Sequence, residues 1–581
     1  MQKTHSNSSM SPSCQNCKKD FIIETEDFNF YEKIKVPPPS FCPLCRVQRR
    51  FAFRNERVLY RRKSDFSGKE IFSMFSPESG IKVYEREVWM SDKWDPMDYG
   101  MDYDFSKPFF VQFFELLKKV PLKSLAIVNG VNSPYTFNIT DPKNCYLVFN
   151  ASYVEDCMYC HGIDFSKWCL DSSHMSKCED CYQGFWLTSC SKSIFSSQCE
   201  NSFNMMFSKN CSGCQDCFGC VNLRKKSYCI YNEQYSREDY LEKIKSFNLG
   251  SHESLEKIKK DVMNFWMKFP NKYLEGLQNT NVSGNYINHS KDVKNSFMIR
   301  EGQNLHYCQY IQEGTGNKDC FDYSIWGDNN EVLYECHSCG INTANMKFCL
   351  LCQENVHDIE YSMFCIGGSE NLFACVGLRK KSYCIFNKQY SKEEFYKMVE
   401  KIKLHMDEMP YIDKKGSVYK YGEYFPIELS PFAYNTTMAQ EYFPLSKQDT
   451  EQNGYFWENP ASRNYKFDLT VGSLPDHINE VRDDILNKVI ECEHRGECNQ
   501  LCTTAFKIIP DELNFYRKMS LPLPRLCPNC RTFERLKQRT GIELYHRKCM
   551  KKNCSNEFQT AYSPDRQEII YCDQHYKEEV F

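Results

Sequence analysis

The chain has 581 residues, 41% hydrophobic and 26% charged, with a formal net charge of −3. That length predicts several domains, and that charge excludes a chain that is basic throughout, so any nucleic-acid-binding surface has to be local. Residues 1–13 carry no apolar segment of the kind a signal peptide needs and read as a disordered tail. No apolar run reaches the roughly 18 residues of a membrane span. The expected location is the cytoplasm, where the 34 cysteines serve as metal ligands or buried thiols rather than disulfides.

In chain order, residues 14–50 open with Cys14-x2-Cys17 and close with Cys42-x2-Cys45. Two such turns place four thiolates at the corners of a tetrahedron, the geometry of a structural zinc ribbon. The pattern returns near the other end, in residues 492–536, as Cys498-x3-Cys502 and Cys527-x2-Cys530. With a shift of 485 the two segments overlay without a gap from Cys17 onward, so that Asn29-Phe30-Tyr31 falls on Asn514-Phe515-Tyr516. The match runs on into 51–100 and 537–581. In the second of these, Cys549, Cys554, Cys572 and His575 make a three-cysteine, one-histidine site. In the first, Ser64, Glu85 and Val88 stand where Cys549, Cys572 and His575 would be, and a valine cannot ligate. That module reads as a degenerate copy without metal, giving about three Zn²⁺ per chain. Cys492, His494 and His546 read as surface residues, with a substitute-ligand role as the alternative.

Residues 101–139 form a connector with a helix over PFFVQFFELLKKV. In 140–235, Cys157, Cys178, Cys199 and Cys220 are spaced by 21, as are Cys169, Cys190 and Cys211. Two interleaved ladders with one period predict a β-solenoid. Inward cysteines are first read as small apolar packing; metal, an iron–sulfur cluster or disulfides are the alternatives. Cys157-x2-Cys160-His161 has the spelling of a haem attachment site, and Cys211 to Cys220 approaches a cluster loop, but both overlap the ladders. Residues 294–390 repeat the unit, with a shift that drifts through small insertions. The phrase LRKKSYCI closes both solenoids, at 223–230 and 378–385. Each is followed by a helix, in 236–293 and 391–491, capped by Ser236 or Ser391 and expected to cover the open end of the coil. Residues 406–445 read as irregular, 446–465 as a polar linker, and His477–Ile490 as a helix. The fold class is therefore multidomain and mainly β, with zinc ribbons at both ends flanking two duplicated solenoids.

The knuckle, the aromatic-Tyr pair, the proline stretch and the CPxCR signature of residues 14–50 and 498–535 resemble a small family of bacterial zinc-ribbon domains. With LRKKSYC, SDKWDP at 91–96 and FPIELSPFAYN at 425–435, the whole chain resembles an uncharacterised cysteine-rich bacterial protein family. The resemblance implies zinc and the architecture but no activity.

After the first ribbon comes RVQRRFAFRNERVLYRRK. Continued as a helix, it puts Arg46, Arg50, Arg54, Arg57 and Arg61 on one face, with aromatics interleaved. Exposed, this stripe would bind nucleic acid or a ribonucleoprotein through phosphates. The expected function is thus a zinc-binding, non-catalytic scaffold with nucleic acid as partner. The alternative is a protein-interaction or assembly scaffold, favoured if the solenoid faces prove neutral and the arginines buried in ion pairs. No GxxxxGK[ST], GxSxG or HExxH occurs, so an enzyme ranks below both.

Overall fold

The computed structural model describes residues 11–312, 314–459 and 466–580. Most of the expected tail and the end of the expected polar linker lie outside the described residues.

The β-solenoid runs from Ile127 to Ile385, interrupted by helices over Arg237–Ser246 and His252–Trp266. Its building block is a tripeptide. From Asn144 through Leu147, Asn150, Tyr153, Asp156 and Tyr159, every third residue has φ between 51° and 55°. A left-handed residue at each third position turns the chain sharply, which suits the many Asn and Asp there. The residue after each turn points inward: Cys145, Val148, Ala151, Val154, Cys157 and Cys160 are all buried. Four tripeptides close one coil, so Phe137 pairs in parallel with Phe149, Phe149 with His161 and His161 with Ser173, twelve residues per step.

This corrects the period read from the cysteines. Twenty-one is seven tripeptides, not one coil. A spacing of 21 keeps a residue inside but moves it to another column, so Cys157 stacks between Cys145 and Cys169 rather than on Cys178. In the second solenoid Lys318 pairs with Glu331 and Glu331 with Ala344, thirteen per step, and Gly302 pairs with Asn317 across a longer coil. These insertions produce the drift seen in the sequence.

Inward cysteine thiols lie against backbone carbonyl oxygens. Cys157 lies 3.3 Å from the carbonyl oxygen of Glu155, and Cys199 3.3 Å from that of Ser197, both two residues back. Inward serines donate in the same way, Ser166 to Asp164 at 2.8 Å. Burial pushes the Cys145 thiol up to about 12 and raises Cys308 and Cys320 as well.

Both repeated phrases form the last parallel strand, Ser227–Ile230 and Ser382–Ile385. The helices that follow are capped as expected: Ser236 accepts from the Asp239 N–H, and Ser391 with Glu394 makes a full capping box. Tyr240 is buried against Tyr228, and Phe395 against Tyr383, so each helix covers the last coil. The connector helix spans Phe109–Lys119, and its Phe109 packs on Phe373 and Phe386 of the second solenoid. The helix expected over His477–Ile490 is instead two short 3₁₀ turns, Ile478–Glu480 and Asp483–Asn487, whose apolar residues are anchors without a continuous helical ladder. Helices are numerous enough that the fold is mixed α and β rather than mainly β.

The terminal modules cross over. The N-terminal one sits on the second solenoid, where Phe30 stacks on Phe321 with ring centroids 3.8 Å apart. The C-terminal one sits on the first, where Tyr182 meets Phe515 and Tyr516 at 5.8 and 5.9 Å. The duplication is thus folded into a pseudo-symmetric whole.

Candidate metal centres

Among the described residues, three clusters bring four Cys or His ligand atoms within 4.8 Å of one another. In the first, Cys14 and Cys17 lie on a short turn, while Cys42 caps the helix Pro43–Phe51 and Cys45 sits in its first turn. The second knuckle is therefore a helix N-terminus, where the dipole favours thiolate. Cys17 and Cys42 sulfurs are 3.7 Å apart, close to the ~3.8 Å edge of a tetrahedron built on a 2.3 Å zinc–sulfur bond. The Cys42 N–H donates to the Cys14 sulfur at 3.2 Å, and the Asn16 side-chain amide donates to Cys45 at 3.3 Å.

The second cluster is Cys492, Cys502, Cys527 and Cys530. Cys492 takes the place given to Cys498 on sequence spacing. The backbone explains why. The Cys527 N–H donates to Cys492 at 3.2 Å, as Cys42 does to Cys14. The Glu493 N–H donates to the Arg525 carbonyl as Gln15 does to Ser40, both at 3.0 Å. Cys492 is thus the counterpart of Cys14, and the longer stretch to Cys502 is an insertion that carries Cys498. Cys492 is fully buried, not a surface residue. Cys502 is lowered to about 6 by hydrogen bonding with Cys492, with Cys530 adding to the effect.

In the third cluster, Cys549, Cys554, Cys572 and His575 come together as spaced. His575 Nδ1 lies 3.2 Å from Cys572 and 3.7 Å from Cys549. Burial pushes the Cys572 thiol up, but hydrogen bonds from Asn556 and the His575 backbone outweigh it and bring it down to about 6. His546 is exposed and lies 3.7 Å from Glu557.

The degenerate copy keeps the scaffold. Its hairpin pairs Tyr60–Lys63 with Glu70–Ser73, as Tyr545–Lys548 pairs with Glu557–Thr560. Ser64 donates to one Glu85 oxygen and Ser67 to the other. Ser67 accepts the Lys69 N–H as Cys554 accepts that of Asn556, so Ser67 is the fourth counterpart. Two hydroxyls closing on one carboxylate hold together what a metal ion would hold in the other copy.

The arginine stripe is not a surface. Its helix ends at Phe51, so only Arg46 and Arg50 of the five share a helix. Arg46 is 1% exposed and pairs with Asp322 at 2.8 Å. Arg50 is fully buried and pairs with Asp322 at 3.0 Å and Glu335 at 3.2 Å. The intervening Arg49 pairs with Glu335 at 2.7 Å and Glu423 at 2.8 Å. Arg54 bonds Glu56, Ser338 and Asn150, Arg57 pairs with Glu441 and lies over the Phe533 ring, and of the five only Arg61 is exposed. The expectation of an exposed phosphate-binding face is corrected: these forks clamp the module to the solenoid. Burial raises the Glu335 carboxyl above its usual range, against the pull of Arg49 and Arg50.

The other end repeats the clamp. Arg531 and Arg535 bind the two oxygens of Asp171 at 2.8 and 2.9 Å, and Arg535 reaches the Ser173 hydroxyl as Arg50 reaches Ser324. The acids Asp171, Asp322 and Glu335 escaped the sequence reading. A signal was present: the 485 shift maps Arg46 and Arg50 onto Arg531 and Arg535, and the 151 shift between solenoids maps Asp171 onto Asp322.

No family model and no curated protein matches the chain. Among solved structures, a "putative acetyltransferase" from Desulfovibrio desulfuricans G20 aligns at 10% identity over 51% of this chain and 85% of its own, with a TM-score of 0.11. That score is too low to carry an argument. Among the described residues, no helix is long and apolar enough to cross a membrane.

Proposed function

We propose that the protein is a zinc-binding, non-catalytic scaffold that presents its solenoid surfaces to partner proteins. The observation that carries this reading is the commitment of Arg46, Arg49 and Arg50 to buried acids of the second solenoid. A buried, ion-paired guanidinium is not on offer to phosphate. What remains is a rigid double coil with metal modules clamped across it, and coils of this kind present long surfaces suited to protein contacts. Zinc is the metal that suits the donor sets, four thiolates or three thiolates and an imidazole at tetrahedral spacing. These centres use every position for the protein's own ligands, which fits a structural role. Metal analysis and a visible spectrum on anaerobically purified protein test the reading. Three firmly held zinc ions and no colour are expected; iron and a brown protein would overturn it.

A further inference from the structure

The geometry points to a second metal ion in the C-terminal module, bound by His494 and Cys498 and sharing the thiolate of Cys530. This rests on the reading of the four-cysteine cluster as a metal centre. Three observations converge on it. His494, Cys498 and Cys530 have their ligand atoms within 4.8 Å of one another, separate from the four-residue set that Cys530 also completes. The Cys498 and Cys530 sulfurs are 3.7 Å apart, the same edge length that Cys17 and Cys42 show in the N-terminal cluster. And His494 Nδ1 is buried with no hydrogen-bond partner, an imidazole nitrogen left with its bonding capacity unused.

Comparison of the two ends says what the insertion is for. Cys14 and Cys17 have two residues between them, while their counterparts Cys492 and Cys502 have nine. In the short version, the Asn16 amide donates to Cys45, the counterpart of Cys530. In the long version, the added residues bring Cys498 and His494 to Cys530 instead. A thiolate has lone pairs enough to bridge two cations, so Cys530 can serve the buried ion and a second one outside it. The inner ion is held by four cysteines, three of them well buried. The outer one has two ligands of its own on a partly exposed loop, plus the shared sulfur, and keeps a coordination position open to solvent. It is therefore the more exchangeable of the two, and its ligand class is that of a soft divalent cation such as zinc.

The test is a zinc count on the full chain by native mass spectrometry at rising free Zn²⁺, followed by back-titration with a chelator. Wild type should reach four ions, and the fourth should leave at least ten-fold more easily than the other three. Cys498→Ser and His494→Ala should each stop at three, with the thiolate-to-cobalt absorption of the Co²⁺-loaded protein falling for Cys498→Ser. Cys530→Ser should stop at two, and Cys527→Ser should lose the inner ion. A wild type that saturates at three, or Cys498→Ser and His494→Ala variants that still reach four, would overturn the shared site while leaving the three-centre reading intact. Fewer than three ions in wild type would overturn that reading itself.

Discussion

Asp171→Ala cuts the clamp that seats the C-terminal module. Asp171 is fully buried and accepts from two guanidiniums whose side chains are 3% and 1% exposed. Arg531 keeps Glu512 at 2.9 Å, but Arg535 is left with the Tyr159 carbonyl and the hydroxyls of Ser173 and Thr532. Stranding one member of a buried ion pair costs about 3–5 kcal/mol. At about 1.4 kcal/mol per decade, that is roughly a 100-fold or greater rise in the fraction of molecules with the module undocked. Hydrogen exchange resolved by peptide should show it as faster exchange in Pro510–Met519 and in the first solenoid near Ser173, with the second solenoid unchanged. Because the charges and not the volume are at fault, Asp171→Leu with Arg531→Met, Arg535→Met and Glu512→Gln should recover most of the loss, since replacing a complete buried ion set, here including the Glu512 that Arg531 also pairs, is often neutral or better. An Asp171→Ala protein whose exchange and denaturation midpoint match wild type would refute the clamp.

Replacing Cys42 or Cys527 by Ser should each release one inner zinc ion, counted by mass, and loosen only the module concerned, because so small a unit has little core besides its metal. Converting Ser64, Ser67 and Glu85 to Cys and Val88 to His should add one zinc over the parent, since the hairpin and backbone bonds of the degenerate copy already match those around Cys549; an unchanged count would show that the match is only superficial. Cys178→Ala should cost roughly 1–2 kcal/mol in denaturant melts and no metal, as it removes one buried sulfur from a solenoid interior; loss of a metal ion would show that the cysteine columns ligate.

The fold was legible where spacing alone carries the information. The paired cysteines, the three-cysteine, one-histidine set and the capped helices after LRKKSYCI all follow from local chemistry at fixed offsets. The coil length was not legible from the ladders, because 21 and 12 are both multiples of three and the cysteines mark only the inward position. The place of Cys492 was hidden by an insertion that offers Cys498 at a plausible spacing. The arginine stripe misled for a different reason: sequence shows the cations but not their partners, and Asp322 lies 276 positions beyond Arg46. Only the crossing of the terminal modules brings the two together.

The most direct measurement of the central claim is an anisotropy titration of mixed RNA and DNA at low salt, with wild type and Arg50→Glu side by side. If the arginines are internal clamps, wild type shows no steeply salt-dependent binding, and Arg50→Glu undocks the N-terminal module because it sets a glutamate against Asp322 and Glu335. Tight wild-type binding that falls by roughly one log–log unit per phosphate contacted, and that Arg50→Glu abolishes while fold and zinc content persist, would contradict the account.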